Sequence, residues 1–169
     1  MDYIQNHEMY NLIDRLYTST QLEVLRKSEE ELIALRDTDT SFFFSELTKL
    51  FNSFPSDTTD FHQFAILLLI YSSIKGKGKP SLDNDTLMDL TKFALGNYTI
   101  TSKRCKKTLA TIIFLLYGKS KSKDDGAANH RAITIEIYLF SLLDAKETED
   151  NLSGISLAST FFKDEEDFN

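Results

Sequence analysis

The chain has 169 residues, of which 41% are hydrophobic and 13 are phenylalanine, and its formal net charge is −7. This composition excludes a chain that is disordered throughout, and the length suits one domain or an array of small repeats. The single cysteine excludes a disulfide scaffold within one chain, and the longest apolar run, residues 64–71, is far shorter than the ~20 residues that span a bilayer. The polar start does not resemble a signal peptide, so we expect an intracellular protein, cytoplasmic or nuclear.

Helical spacing of apolar residues predicts four helices in the first half of the chain. Capping-box patterns open the second helix at Thr20, with Glu23, and the fourth at Asp60, with Gln63. Gly76 predicts a left-handed stop after the fourth helix. Because residues 64–71 of that helix are apolar on every side, we expect protein to surround it. The predicted ranges are 7–18, 20–35, 41–54 and 60–75.

The second half of the chain predicts three more helices, which makes about seven in all. Gly96 and Gly118 predict the ends of the fifth and sixth helices, and Asn129 predicts the cap of the seventh. Residues 133–139 alternate as a strand would, but the segment length and the helical neighbours favour a helix. We predict a single all-helical domain over residues 1–150. The remaining residues, 151–169, are predicted to form a short helix and an acidic tail. The three predicted ranges are 83–95, 101–117 and 129–144.

An internal match suggests a repeat. Two short segments correspond at a distance of 43 residues, ELTKL at 46–50 and DLTKF at 89–93. Each of the two segments precedes an almost wholly apolar helix. Each of these helices is followed by a glycine and a run of alternating lysines. This pattern resembles the armadillo/HEAT class of helical repeats, whose units have about this length. The resemblance implies an all-α fold of stacked antiparallel hairpins, a short α-solenoid; the alternative is a compact helical bundle around a buried central helix.

Motifs for catalysis and cofactor binding are missing from the sequence. The Gly–Lys pair at 118–119 lacks the glycine that a phosphate loop needs five residues earlier, where this chain has Ile113. The three histidines are far apart and form no metal-ligand pattern. Cys105 shares an apolar stripe with Leu109 and Ile112, which favours a core position over a reactive thiol. We therefore expect no enzyme, no cofactor and no metal.

Basic residues are segregated along the chain. Residues 1–60 hold 5 basic and 12 acidic residues, residues 61–143 hold 12 and 6, and residues 144–169 hold 2 and 8. A basic middle between acidic ends is typical of a partner-binding surface, although internal pairing with Asp and Glu would also explain it.

Three basic clusters are the candidate partner-binding residues. Those at 75–79 and 119–123 follow predicted helix ends, where the helix dipole stabilises cations and capping alone would explain them. If the hairpins stack in register, these lysines form one rim beside Arg131. The cluster at 103–107 begins a helix, where positive charge opposes the dipole, so we expect it to serve a partner or internal acids. The candidates are Lys75, Lys77, Lys79, Lys103, Arg104, Lys106, Lys107, Lys119, Lys121, Lys123 and Arg131.

The helical pattern, the missing catalytic motifs and the basic clusters together favour a non-catalytic protein-protein interaction module. Such a module would be an adaptor or scaffold that binds another protein with an acidic surface. It would use exposed helix faces and the basic central segment. The alternative is a nucleic-acid-binding or nucleoprotein-associated protein that places the basic segment 75–131 on phosphates, although no aromatic residues are interleaved with its lysines. A further alternative, a viral host-interaction factor, is suggested only by a composition poor in Ala, Gly and Pro and rich in Ile, Lys, Asn, Ser and Thr.

Overall fold

The computed structural model describes residues 7–54, 60–76, 82–121 and 125–167, with side chains up to Phe161. Within these ranges the chain is all-α, as predicted, with eight helices and no strand. None of these helices combines the length and the apolar character needed to cross a membrane. The helices are α1 (Glu8–Thr18), α2 (Leu22–Thr38), α3 (Thr40–Asn52), α4 (Phe61–Lys75), α5 (Asn84–Asn97), α6 (Lys103–Lys121), α7 (Gly126–Leu143) and α8 (Thr148–Asp167).

Helix contacts group the chain into two compact units, residues 1–86 and 87–169, with the boundary inside α5. In the first unit, α1 packs against α2, α3 and α4, and α3 packs against α2 and α4. In the second unit, α7 packs against α6 and α8, and α6 also contacts α8. The α-solenoid, the compact bundle and the single domain over residues 1–150 stay predictions.

The first unit has an apolar core to which α1, α3 and α4 contribute most. None of the residues 64–71 is exposed, which confirms the predicted burial of the apolar helix. Leu22 at the start of α2 is 81% exposed and does not contribute to this core. The buried apolar side chains are Met9, Leu12, Ile13, Leu32, Phe43, Phe44, Leu47, Leu50, Phe51, Ala65, Ile66, Leu67, Ile70 and Ile74.

Both predicted capping boxes are wrong. The N-cap of α2 is Gln21, one residue after the predicted Thr20, and its side chain makes no capping hydrogen bond. The Gln21 amide instead donates to the Ser19 hydroxyl oxygen at 3.2 Å, a local bond that competes with the capping geometry. Asp60 does precede α4, but its side chain makes no capping bond either. Its predicted partner Gln63 donates to the Phe51 carbonyl at 3.2 Å.

Helix α4 ends at Lys75, as predicted, but the left-handed conformation predicted for Gly76 and the helix ends predicted at Gly96 and Gly118 are wrong. Gly76 follows α4 in an extended conformation, with φ −62° and ψ 136°, and not in the left-handed region. Gly96 and Gly118 lie inside α5 and α6, because an interior glycine costs only about 1 kcal/mol relative to alanine, which packing of the apolar face offsets. The predicted cap of α7 at Asn129 is wrong as well. The helix begins after Asp125, whose carboxylate accepts a hydrogen bond from the Ala128 amide at 2.7 Å.

The two segments that match in sequence also match in burial. Leu47 and Leu50 on α3 are buried, and so are their counterparts Leu90 and Phe93 on α5. The closing segments differ, however, because α4 ends before its glycine whereas α6 continues through Gly118 to Lys121. The repeat therefore stays a prediction, and its two proposed copies end differently.

Two histidine–carboxylate pairs join helices of the first unit. His7 caps α1 through Nδ1, which accepts from the Met9 amide at 3.2 Å, and its Nε2 lies 3.0 Å from Glu46 on α3. A neutral ring with its proton on Nε2 satisfies both contacts. His62 on α4 similarly lies 2.9 Å from Asp14 on α1. The hydrogen bond from His7, together with nearby Lys49, holds the pKa of Glu46 below its ordinary value of 4.5.

The packing of α8 against α7 depends on a glycine. Gly154 on α8 is buried, and a Cβ atom built on it would lie 2.8 Å from the Leu143 backbone nitrogen and 2.9 Å from the Leu142 Cβ. By contrast, a Cβ on Gly118 would meet nothing within 4 Å. The backbone of α8 thus approaches α7 more closely than any side chain at position 154 would permit.

Glu46→Gln is expected to lower the free energy of unfolding by about 1 kcal/mol at neutral pH, because the charge-assisted bond with His7 is lost. The folded state lowers the Glu46 pKa, so its contribution is complete above pH 4.5 and disappears as the pH falls through the folded-state pKa. Thermal unfolding at neutral and acid pH measures both effects. The exposed Glu29→Gln serves as control, and equal acid sensitivity of wild type and Glu46→Gln would contradict this account.

Gly154→Ala is expected to destabilise the protein by about 1–3 kcal/mol, because the new methyl group overpacks the contact between α7 and α8. Gly118→Ala is the matched control, since it changes the same residue type at an open helical position. It should stabilise the protein by about 0.5–1 kcal/mol. Urea unfolding of both variants gives the comparison, and a stabilised Gly154→Ala would show that the helices are not in close contact.

Candidate functional site

The candidate lysines at the helix ends have local partners. Lys75 at the end of α4 is exposed, and its ammonium donates to the Tyr71 hydroxyl at 2.9 Å. Lys119 and Lys121 lie in the last turn of α6, not in a loop as predicted. The Lys121 ammonium lies 3.8 Å from a Glu136 carboxylate oxygen and 5.7 Å from the centre of the Tyr117 ring. The predicted residues Lys77, Lys79 and Lys123 lie outside the described residues.

Arg131 does not lie at a rim. The structure buries this side chain to 1% exposure, and its Nε donates to the Ser120 hydroxyl at 3.3 Å. Helix α7 starts earlier than predicted, and Arg131 shares an inward face with Ala128 and Ile135. Its prediction as a contact residue is therefore wrong, because a buried guanidinium does not reach a partner on the surface.

The cluster at 103–107 stands at the start of α6, as predicted. The Ser102 hydroxyl accepts from the Cys105 amide at 3.3 Å and caps the helix, and Cys105 itself is buried, in agreement with the predicted core position. Among the basic residues, Lys103, Arg104 and Lys107 are exposed, whereas Lys106 is half-buried.

Three of these lysines line a groove between α6 and α8. The groove has a volume of about 330 Å³, and hydroxyl groups of α8 form its opposite wall. No signal in the sequence connected the hydroxyl groups with the lysines. We call this site the lysine groove; it is lined by Lys103, Lys106, Lys107, Ala110, Ser156, Ser159 and Thr160.

Lys106 is the fixed member of the lysine groove. Its ammonium hydrogen-bonds to the hydroxyl of Ser153, which is buried, and lies 5.2 Å from the centre of the Tyr98 ring. Tyr98 is itself fully buried and donates to the Ser153 carbonyl at 3.1 Å. Burial raises the pKa of Tyr98 above its ordinary value, and a hydrogen bond with the Ser156 side chain opposes this shift.

The charged residues that line the lysine groove are all positive. None of its lining residues is acidic. Within the described part of the chain, Lys103, Lys106 and Lys107 form no ion pair with a carboxylate. The sequence left two explanations open for this cluster, a binding partner and internal pairing with acidic residues. In the described ranges, these three lysines show no internal pairing.

A second, larger hollow opens where α6, α7 and α8 meet. Phe161 packs between Phe114 and Tyr117. The centre of its ring lies 5.5 Å from the centre of the Phe114 ring and 5.4 Å from the centre of the Tyr117 ring. The Tyr117 hydroxyl donates to Glu136 at 2.6 Å. We call this hollow, of about 430 Å³, the aromatic cleft; it is lined by Phe114, Tyr117, Ile135, Glu136, Leu139, Phe140 and Phe161.

The lysine groove and the aromatic cleft share one face of α6. Apart from Lys106, which lies beside them, the lining residues of α6 follow one another at intervals of four and three, which places them on a single stripe of the helix. The first members of the stripe are cationic and the last are aromatic. The centres of the two sites lie about 14 Å apart along the helix axis, from a rise of ~1.5 Å per residue. The stripe consists of Lys103, Lys107, Ala110, Phe114 and Tyr117.

Comparisons add no family to this picture. No family model matches the chain, and neither the curated proteins nor the solved structures contain a match. The likeness to armadillo/HEAT repeats therefore stays a prediction. In the described ranges, no three His, Cys, Asp or Glu side chains lie close enough together to hold a metal ion.

Arg131→Ala is expected to destabilise the fold by about 2–4 kcal/mol, because it leaves a cavity and removes a buried hydrogen-bond partner of Ser120. Lys92→Ala, which truncates an exposed basic side chain of the same unit, should stay within about 0.5 kcal/mol of wild type. Chemical unfolding followed by circular dichroism measures both variants. An Arg131→Ala protein as stable as the control would return Arg131 to the surface candidates.

Proposed function

We propose that this protein is a non-catalytic protein-interaction module that binds an acidic, amphipathic segment of another protein. The segment would lie along α6, with its acidic residues in the lysine groove and its apolar residues in the aromatic cleft. The observation that carries this proposal is the single stripe of α6 that passes from ammonium groups to aromatic rings.

The lysine groove supplies charge complementarity. Three lysines line it without an acidic neighbour among its lining residues, so an acidic segment would be attracted from a distance. Because Lys106 is already held by Ser153 and the Tyr98 ring, one ammonium is in place before a partner arrives. Less side-chain entropy is then lost on binding.

The aromatic cleft supplies apolar contact. Phe140 at its edge is 64% exposed, so its ring is accessible to a partner. Ile137 on the same helix is equally exposed, so apolar surface extends beyond the cleft. Exposed aromatic anchors beside a pocket are typical of the residues that dominate affinity in protein interfaces.

Nucleic acid binding is less well supported by this geometry. Proteins that bind single strands stack bases on free aromatic ring faces beside a basic groove. Here the rings of Phe114 and Tyr117 pack against Phe161, and the cleft contains the carboxylate of Glu136. A negative charge at this place repels phosphates, whereas a protein segment tolerates it.

The test is a binding titration with a synthetic peptide that has glutamates in one half and leucine and phenylalanine in the other. We expect the double variant Lys103→Glu/Lys107→Glu and the single variant Phe140→Ser each to weaken binding about tenfold or more, since each removes more than ~1.4 kcal/mol of contact. Fluorescence anisotropy of the labelled peptide measures the affinity. The charge-reversal variant should also lose the salt dependence.

Matched controls are available in the same unit. Lys92→Glu reverses an exposed lysine outside the groove, and Ile100→Ser removes a side chain that is 76% exposed and lies outside the cleft. Both should bind the peptide as wild type does. Equal losses in site and control variants would overturn the proposal. Tighter binding of a generic oligonucleotide than of the peptide at physiological salt would replace it with the nucleic-acid function.

A further inference from the structure

The lysine groove offers more positive charge and more hydrogen-bond donors than one carboxylate uses. Resting on the proposed function, we propose that the bound segment carries a phosphorylated serine or threonine whose phosphate group occupies the lysine groove. The partner class would then be phosphoproteins.

Donors for such a group are present and available. The ammonium groups of Lys103 and Lys107 and the hydroxyl of Ser159 form no hydrogen bond within the described part of the chain. Each of these side chains is exposed, so a ligand reaches it without displacing the core. An ammonium provides three protons and a hydroxyl provides one.

Lys106 would give the site its geometry. Its contacts with Ser153 and the Tyr98 ring hold the ammonium between α6 and α8, and an ammonium that bonds one hydroxyl keeps further protons for a ligand. On the opposite wall, the Thr160 hydroxyl donates to the Ser156 carbonyl at 3.2 Å, so its oxygen faces its own helix. The Ser156 hydroxyl hydrogen-bonds Tyr98, so the donors for the ligand are the three lysines and Ser159.

The charge of the groove matches a phosphate monoester better than a carboxylate. A phosphate monoester carries a charge of about −1.5 to −2 at neutral pH and has three strong acceptor oxygens. A carboxylate carries a single charge and has two oxygens. Three neighbouring ammonium groups without an acidic lining residue repel one another, and a dianion relieves more of this repulsion than a monoanion.

The adjoining aromatic cleft points to a protein as the source of the phosphate. The two sites lie about 14 Å apart, which an extended chain covers in about four residues at ~3.3 Å per residue. A phosphorylated residue followed by an apolar side chain at that spacing would fill both. Free phosphate would leave the cleft unused.

The experiment compares three peptides of one sequence that carry phosphoserine, glutamate or serine at the same position. We expect the phosphopeptide to bind about tenfold more tightly than the glutamate peptide, as one additional charge-assisted hydrogen bond would give. Its affinity should fall as the pH is lowered through about 6, where the phosphate loses its second charge, whereas the affinity of the glutamate peptide should not.

Conservative variants locate the effect. Lys107→Gln and Ser159→Ala are expected to reduce the preference for phosphoserine, and Phe140→Ser should weaken both acidic peptides equally. Lys92→Gln, outside the groove, is the matched control and should retain the preference. Circular dichroism spectra and unfolding midpoints confirm that each variant is folded.

The outcomes separate the two proposals. Equal affinity for the phosphoserine and glutamate peptides would overturn the phosphate inference while the proposed function stands. No binding of any peptide would overturn both. Inorganic phosphate, or vesicles with phosphoinositide headgroups, binding as tightly as the phosphopeptide would also overturn the inference, because the protein segment would then contribute nothing.

Discussion

The close approach of α8 to α7 at Gly154 determines where both candidate sites lie. The backbone of α7 occupies the space that a side chain at position 154 would need, so this contact fixes the position of α8 against α7. From that point the next two turns of α8 carry Ser156, Ser159 and Phe161 past α6. One helix contact thus supplies a wall of the lysine groove and a wall of the aromatic cleft. A shift of α8 would change the two sites together.

The start of α6 contradicts a local electrostatic preference. Cations are unfavourable in the first turn of a helix, and the lysines of the groove have no described carboxylate partner. The fold offsets part of this cost at Lys106 through the Ser153 hydroxyl and the Tyr98 ring, but Lys103 and Lys107 remain exposed. Local rules are most often broken at functional sites, and an anionic ligand at this place would remove the conflict.

The sequence predicts the helices better than the sites. Apolar periodicity located the helices of the first half of the chain, because it reflects burial. In the second half, segment length favoured α7 over a strand, and α8, Thr148–Asp167, is longer than the short helix predicted within residues 151–169. The charge pattern identified the cluster at 103–107. Helix ends were less predictable, since side chains that could cap a helix also bond to other elements, as Gln63 on α4 does with the Phe51 carbonyl on α3. The error at Arg131 had a usable signal, because Ala128 and Ile135 at helical spacing mark an inward face. No such signal links Lys106 to Ser153, which is 47 residues away, because that contact arises only when α8 packs.

In the proposed interaction, the two halves of the α6 stripe would have different kinetic roles. Long-range attraction by the lysine groove would accelerate encounter and would be screened by salt, whereas apolar contacts in the aromatic cleft would act only at close range and would slow dissociation. A ligand with only charge or only apolar groups therefore leaves half of the stripe unused. In the proposed interaction, selectivity would follow from the requirement that one segment satisfy both halves at their fixed separation on a single helix.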